Sequence, residues 1–129
     1  MSGYTSRSAQ GSAVAEFALV SALVAFVFSG FAQVVFTVHV RGVLQSAATE
    51  GARVAARADR WEADGAARAR YLITSALPAA YAEDIAVETS TRDGLTVISV
   101  VVRAPLPLLG PLGPTGALRI VGHALQEPA

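Results

Sequence analysis

The chain has 129 residues, 53% of them hydrophobic, and its ten basic and ten acidic residues give a formal net charge of zero. The length suits one small domain, and the charge balance leaves no electrostatic footprint for nucleic acid. With no cysteine, disulfides, thiolate metal sites and a cysteine nucleophile are excluded, so a folded domain is held by its own core, by a membrane or by neighbours. Residues 1–10, MSGYTSRSAQ, are polar and carry one charge, Arg7; they have nothing to pack and read as a disordered leader. From Phe17 to Val40 there is no Asp, Glu, Lys or Arg. A helix of that length is roughly 36 Å long, enough to cross a hydrocarbon core of about 30 Å with some tilt. In lipid the backbone must satisfy its own hydrogen bonds, so this run is expected to be helical.

The helical pattern continues beyond the apolar run. Val43, Leu44, Ala47, Ala48, Gly51, Val54 and Ala55 recur at helical spacing, with Gln45, Thr49, Arg53 and Arg57 on the other side. One helix from about Gly11 to about Ala58 would be roughly 70 Å long. A second helix is predicted from Glu62 to Leu77, stopped by Pro78, with Ala66, Ala69, Ile73 and Ala76 on its buried face. Asp59, Glu62 and Asp64 suit the cap of this helix. Next come strands. Ile85, Val87, Thr89 and Thr91 alternate with Ala86, Glu88 and Ser90, and Asp93-Gly94 is a two-residue hairpin signal. Residues 95–103, LTVISVVVR, are β-branched on both faces, as in a central strand. A Pro/Gly loop at 105–116 precedes a third candidate strand at 117–125. The fold class is therefore α+β: a long N-terminal transmembrane helix continuing outside the membrane, a second helix, and a small antiparallel sheet of about three strands.

One short stretch is more specific than these patterns. Gly11 is followed by Ser12, Ala13, Val14, Ala15, Glu16 and Phe17, and then by the apolar helix. A carboxylate near a helix N-terminus interacts favourably with the macrodipole, which alone would account for Glu16. A secretory signal peptide does not fit, because its apolar region is about 7–15 residues long. Ser46-Ala47-Ala48 is small enough for cleavage but lies inside the continuing helical pattern.

The arrangement resembles the class III signal of type IV pilins and pseudopilins. Glu-Phe, together with the later LQSAATEGAR at Leu44 to Arg53, is similar to the TadE-like pseudopilins of the Tad (tight adherence) branch. The resemblance covers residues 11–58; the helix and strands that follow are compatible with it. It implies a leader peptide at 1–11, a long helix at 12–60 that includes a span at 17–40, and an extracytoplasmic α+β domain at 61–129. It implies cleavage by a prepilin peptidase between Gly11 and Ser12, leaving Glu16 as the fifth residue of the mature chain. Small side chains at that bond suit a peptidase, and Gly suits a strained extended conformation. A carboxylate in hydrocarbon is costly unless paired, and Glu16, beside Phe17, is placed to meet the new amino terminus of a neighbouring subunit and set the register of packed helices. The implied partners are the prepilin peptidase, other pilin or pseudopilin subunits, Tad assembly machinery and the lipid bilayer. The implied location is the cytoplasmic membrane, with the N-terminus inside. Counting charges favours the opposite orientation, since Arg7 stands against Arg41, Arg53 and Arg57; the orientation thus follows from the resemblance.

Ser21, Ala25, Ser29, Gln33, Thr37 and Arg41 fall at steps of four and form a small-and-polar stripe. Such residues let membrane helices approach closely and hydrogen-bond across the gap. Ser and Thr can instead bond back to their own helix. Ala47, Gly51 and Ala55 continue the small spacing, and suit either the protein's own second helix or a neighbour. Glu50 and Arg53 are spaced for a helix-surface pair.

The side chains for reaction chemistry are sparse. His39 and His123 have no carboxylate or Cys at ligand spacing. Glu83-Asp84 reads as a solvated turn pair. Gly110, Gly113 and Gly116 alternate with Pro, which removes amide donors and argues against a phosphate-cradling loop. Leu106, Leu108, Leu109 and Leu112 would be expensive to expose together, so the loop covers the sheet or docks on a membrane or partner. The expectation is a non-enzymatic minor pseudopilin without cofactor or metal, acting in pilus assembly, priming or capping through helix packing. The rival expectation is an uncleaved single-span protein presenting a small binding domain.

Overall fold

Helix α1, Gly3–Ala55, opens a computed structural model that describes residues 3–57, 60–107 and 118–127, with side chains from Ser8 onward. The helix starts eight residues before Gly11, so residues 3–10 are helical rather than without structure. The physical reason is that the apolar run has already nucleated the helix, and adding a residue to an existing helix is easy where no proline intervenes. The chain divides into two compact units, residues 1–35 and residues 36–129. The first consists of α1 alone. Its large apolar side chains are bare: Phe17 is 75% exposed, Phe26 77% and Phe31 68%. A soluble protein does not leave such a continuous apolar surface uncovered. Among the described residues α1 is the one helix long and apolar enough to cross a membrane.

The second unit contains the rest of α1, helix α2 (Glu62–Ala76), a 3₁₀ turn (Ala79–Ala82) and strands β1 (Asp84–Arg92), β2 (Leu95–Ala104) and β3 (Leu118–Leu125). The sheet order is β1-β2-β3, antiparallel throughout. β2 is central, as its two-sided apolar pattern predicts. Asp93 (φ 52°) and Gly94 (φ 80°) both lie in the left-handed region, which gives the two-residue turn a backbone twist matching its strands. The 3₁₀ turn carries Tyr81 into the core and has no counterpart in the sequence reading. Asp59 and, from Leu108 on, the Pro/Gly loop lie outside the described residues, so the reading of Leu108, Leu109 and Leu112 does too.

The helices cover one face of the sheet. Val40, Leu44, Ala47, Ala48 and Ala52 of α1, Ala69 and Ile73 of α2, Tyr81, and Val100, Val102 and Ala104 of β2 form one core. Each large side chain among them contributes about 1.5–3 kcal/mol by leaving water. The inward stripe of α2 is Gly65, Ala69 and Ile73, continued by Leu77, rather than Ala66, Ala69, Ile73 and Ala76; Ala76 is exposed and Ala66 half-buried. The stripe therefore starts one residue earlier, and glycine is the reason. A Cβ on Gly65 would meet the Ala55 Cβ at 2.5 Å and the Gly51 carbonyl oxygen at 2.6 Å, and one on Gly51 would meet the Gly65 carbonyl oxygen at 2.7 Å. The two helix backbones approach too closely there for any side chain. β3 makes a similar approach at Gly122, where a Cβ would collide with the backbone of Ala48 and Thr49.

Local hydrogen bonds close the unit. The Trp61 N–H donates to the Asp64 carboxylate at 2.9 Å, and Thr89 donates to Glu62 at 2.8 Å. Of the expected cap residues, Asp64 thus caps α2, while Glu62 reaches across to β1. The Glu127 N–H donates to the Ala56 carbonyl at 2.8 Å, which satisfies part of the C-terminal end of α1. Glu50 and Arg53 do not form the expected pair; the ion pair among the described residues is Arg103–Asp84, at 4.0 Å between exposed side chains.

Candidate processing and packing sites on helix α1

Gly11, Ser12, Glu16 and Phe17 all lie in the first unit, within α1, and all are exposed. A Cβ placed on Gly11 would meet nothing within 4 Å, so neither a close contact nor a turn requires glycine there. In a helix interior it instead costs about 1 kcal/mol relative to Ala. Gly11 is therefore where this part of the helix opens most easily. Among the described residues no cation lies within ion-pair distance of Glu16. Its carboxylate sits at the start of the bare apolar surface with no counter-charge among the described residues.

The stripe Ser21, Ala25, Ser29, Gln33 and Thr37 is exposed through Ser29 and half-buried at Gln33 and Thr37. Ser29 donates to the Ala25 carbonyl at 2.7 Å, so its hydroxyl is engaged within the helix. Gln33 and Thr37 are not free of partners either. Steps of four advance about 40° each around a helix of 3.6 residues per turn. Ser21 to Gln33 thus sweeps about 120°, and a straight neighbour crossing α1 meets two or three consecutive members of the stripe rather than all of them.

The small residues beyond the apolar run are used inside the domain. Ala47, Gly51 and Ala55 are buried, with Gly51 against Gly65, Ala69 and Val100. The face of α1 that remains open carries Gly42, Gln45, Ser46, Thr49, Glu50 and Arg53, which line a shallow groove with Arg68 and Leu72 of α2. His39 lies at the lower end of a second groove, with Val38, Gly42, Val43 and Leu72.

Sequence reading passed over one cluster. Glu88, Ser99 and His123 are consecutive cross-strand neighbours on the sheet face away from the helices. Ser99 Oγ and His123 Nδ1 share a hydrogen bond of 2.8 Å. Glu88 stands on the far side of Ser99 from His123, so it cannot orient the imidazole as the acid of a nucleophilic triad does. Ser99 is only 8% exposed. The row fits a polar, hydrogen-bonded sheet surface.

Comparison with known proteins agrees with the α1 features. The family model described as TadE-like protein matches residues 11–53. No curated protein and no solved structure matches the chain. The matched segment starts at Gly11, takes in Glu16 and the whole exposed apolar run, and ends at Arg53, where α1 meets α2. From Gly11 to Arg53, about a third of its length, the chain is similar to the TadE-like family.

Proposed function

We propose that the chain is a minor pseudopilin of a Tad-type pilus, processed by a prepilin peptidase between Gly11 and Ser12 and acting in pilus assembly, priming or capping. The observation that carries this reading is the coincidence of the TadE-like match at residues 11–53 with an apolar helix whose side chains the chain itself leaves bare. A bare apolar helix is covered by lipid before assembly and by other pilin or pseudopilin helices after it. Glu16 has no counter-charge among the described residues, and the α-amino group that cleavage creates on Ser12 of a neighbouring subunit would supply one. That pairing fixes the vertical register of adjacent helices, because a buried carboxylate left unpaired is costly. The contribution of the protein is packing and register, not reaction chemistry. It resides in the cytoplasmic membrane with residues 1–10 inside and the α+β domain outside, and protease protection of that domain in right-side-out vesicles would refute the orientation.

The rival reading is an uncleaved single-span protein presenting the α+β domain for binding. It draws support from the helical state of the Gly11–Ser12 bond, since a peptidase acts on extended backbone. Cleavage then requires the first turns of α1 to unwind, which Gly11 eases. Intact mass of the chain made with and without a prepilin peptidase separates the two. Loss of residues 1–11 supports the pseudopilin, and an unchanged mass supports the uncleaved protein.

A further inference from the structure

We propose that the groove beside Trp61, where α2 begins, binds a neutral glycan. The groove lies wholly within the second unit, so the inference stands apart from the membrane and pilus readings. It starts from a residue that the fold does not account for. Trp61 is the only tryptophan of the chain, and it is 79% exposed. It occupies the N-cap of α2, a position that favours Ser, Thr, Asp or Asn. The cap makes no use of the indole. The Trp61 main-chain N–H donates to the Asp64 carboxylate at 2.9 Å, and the Asp64 N–H donates back to the Trp61 carbonyl at 3.0 Å. The main chain of Trp61 is thus held from both sides while its ring stays in water. Among the described residues the cation over an aromatic ring is Arg68, over Tyr71, and nothing accepts from the indole N–H of Trp61.

The ring borders a groove of about 550 Å³, within the range of about 300–1,000 Å³ usual for ligand clefts. The groove is apolar where Ala55 and Ile98 line it, and both are almost fully buried. Its polar groups come from Arg60, Glu62, Thr89 and Gln126. Thr89 donates to Glu62 Oε1 at 2.8 Å, which orients the carboxylate and leaves Oε2 to accept from a ligand. The main-chain N–H of Gln126 donates to the Thr96 carbonyl at 2.9 Å, which fixes its backbone at the groove. The Arg60 guanidinium adds donors, and the Gln126 amide adds both donors and an acceptor. Groups held in place before binding lose little freedom when a ligand covers them.

The chemistry of these groups selects the occupant. A sugar ring presents apolar C–H groups on a face, which stack on an indole, and hydroxyls around its edge, each both donor and acceptor. Planar carboxylate, amide and guanidinium groups beside an exposed indole match that division. Arg60 and Glu62 cancel in formal charge, which favours a neutral ligand over a phosphate or a carboxylate. An apolar peptide segment would cover the indole equally well, but it would desolvate Arg60 and Glu62 without giving them partners. The groove on the outer face of the sheet lacks this combination: Arg92, Arg119 and His123 outnumber Glu88 there, and no aromatic side chain lines it.

The test uses the full chain in phosphocholine micelles, which carry no sugar, with neutral oligosaccharides of glucose, mannose and N-acetylglucosamine as probes. Saturation-transfer NMR reads binding in every variant, and the emission of the single tryptophan reads the site itself. At least one probe is expected to bind, with the strongest transfer on ring C–H protons and a shift in Trp61 emission. Trp61→Ala is expected to weaken binding about tenfold or more, and Trp61→Phe less, because a ring remains. Thermal unfolding of Trp61→Ala should match wild type, so that lost binding is not lost folding. Arg119→Gln, on the outer face, should bind as wild type does. No transfer to any probe up to about 10 mM, binding unchanged in Trp61→Ala, or an equal loss in Arg119→Gln would overturn the proposal. So would a Trp61 emission that shifts with chain concentration and not with sugar, which would assign the groove to a protein neighbour.

Discussion

Gly122 offers a sharp test of the packing described above, because its contact is with backbone. Replacing it with Ala adds a single carbon that would collide with the main chain of Ala48 and Thr49. No side-chain rotation can relieve that collision; β3 or α1 must move. Ala is the better strand residue, and the gain is at most about 1 kcal/mol. Overpacking a tight core costs about 1–3 kcal/mol, toward the upper end where the obstacle is rigid. The net expectation is a loss of about 2 kcal/mol, or a melting temperature lower by about 8–16 °C for a unit of this size. The assay is thermal unfolding of the full chain in detergent micelles, followed by near-ultraviolet circular dichroism of Tyr81, which is 1% exposed. That signal reports the domain and not the apolar helix. Gly42→Ala is the control. A Cβ there meets nothing within 4 Å, and the helix gains about 1 kcal/mol, so this variant should melt higher than wild type. Gly122→Ala melting within about 2 °C of wild type, when 1 kcal/mol moves the midpoint by about 4–8 °C, would refute the close approach of β3 to α1.

Other substitutions separate folding from assembly. Gly94→Ala places a side chain at φ 80° and should cost about 1–2 kcal/mol, seen as faster amide exchange across β1 and β2. Asp64→Ala removes the acceptor for the Trp61 N–H and should destabilise the domain by about 1 kcal/mol in the same melt. Glu16→Ala should leave the melt untouched, since Glu16 is exposed and has no ion-pair partner within the described chain, yet should alter subunit spacing or abolish assembly. Unchanged assembly with Glu16→Ala would remove its register role.

Much of the fold could be read in the sequence because its signals are local. Asp93-Gly94 dictates a two-residue turn, and that turn fixes the β1–β2 register down to Glu88 opposite Ser99. The charge-free run from Phe17 to Val40 permits little but a helix. The inward stripe of α2 lies one position earlier than its sequence pattern predicts, because residue type alone favours Ala66 over Gly65 while the closeness of α1 demands glycine. The Ser99–His123 pair was hidden for a different reason. It depends on the β2–β3 register, which no tight turn specifies. The start of α1 at Gly3 is not legible in residues 3–10 themselves, because these polar residues extend a helix nucleated elsewhere.

The glycine contacts also bear on how assembly would work under the proposed function. Ala47, Gly51 and Ala55 have the spacing of a helix-packing motif, but Gly51 already lies against Gly65 and cannot also receive a neighbouring helix. Beyond Val40 the buried face of α1 belongs to its own domain. Apart from Gly42 and Ser46 on the open face, the residues left for close helix–helix approach are therefore those of the bare run, with Ser21, Ala25, Ser29 and Gln33 as its small and polar members. Because that stripe turns by about 120°, successive neighbours engage different parts of it, and a single neighbour cannot hold the whole helix in place. Sideways packing alone then leaves the vertical position weakly specified. A charge at one defined height, such as Glu16 at the start of the run, supplies what the stripe lacks.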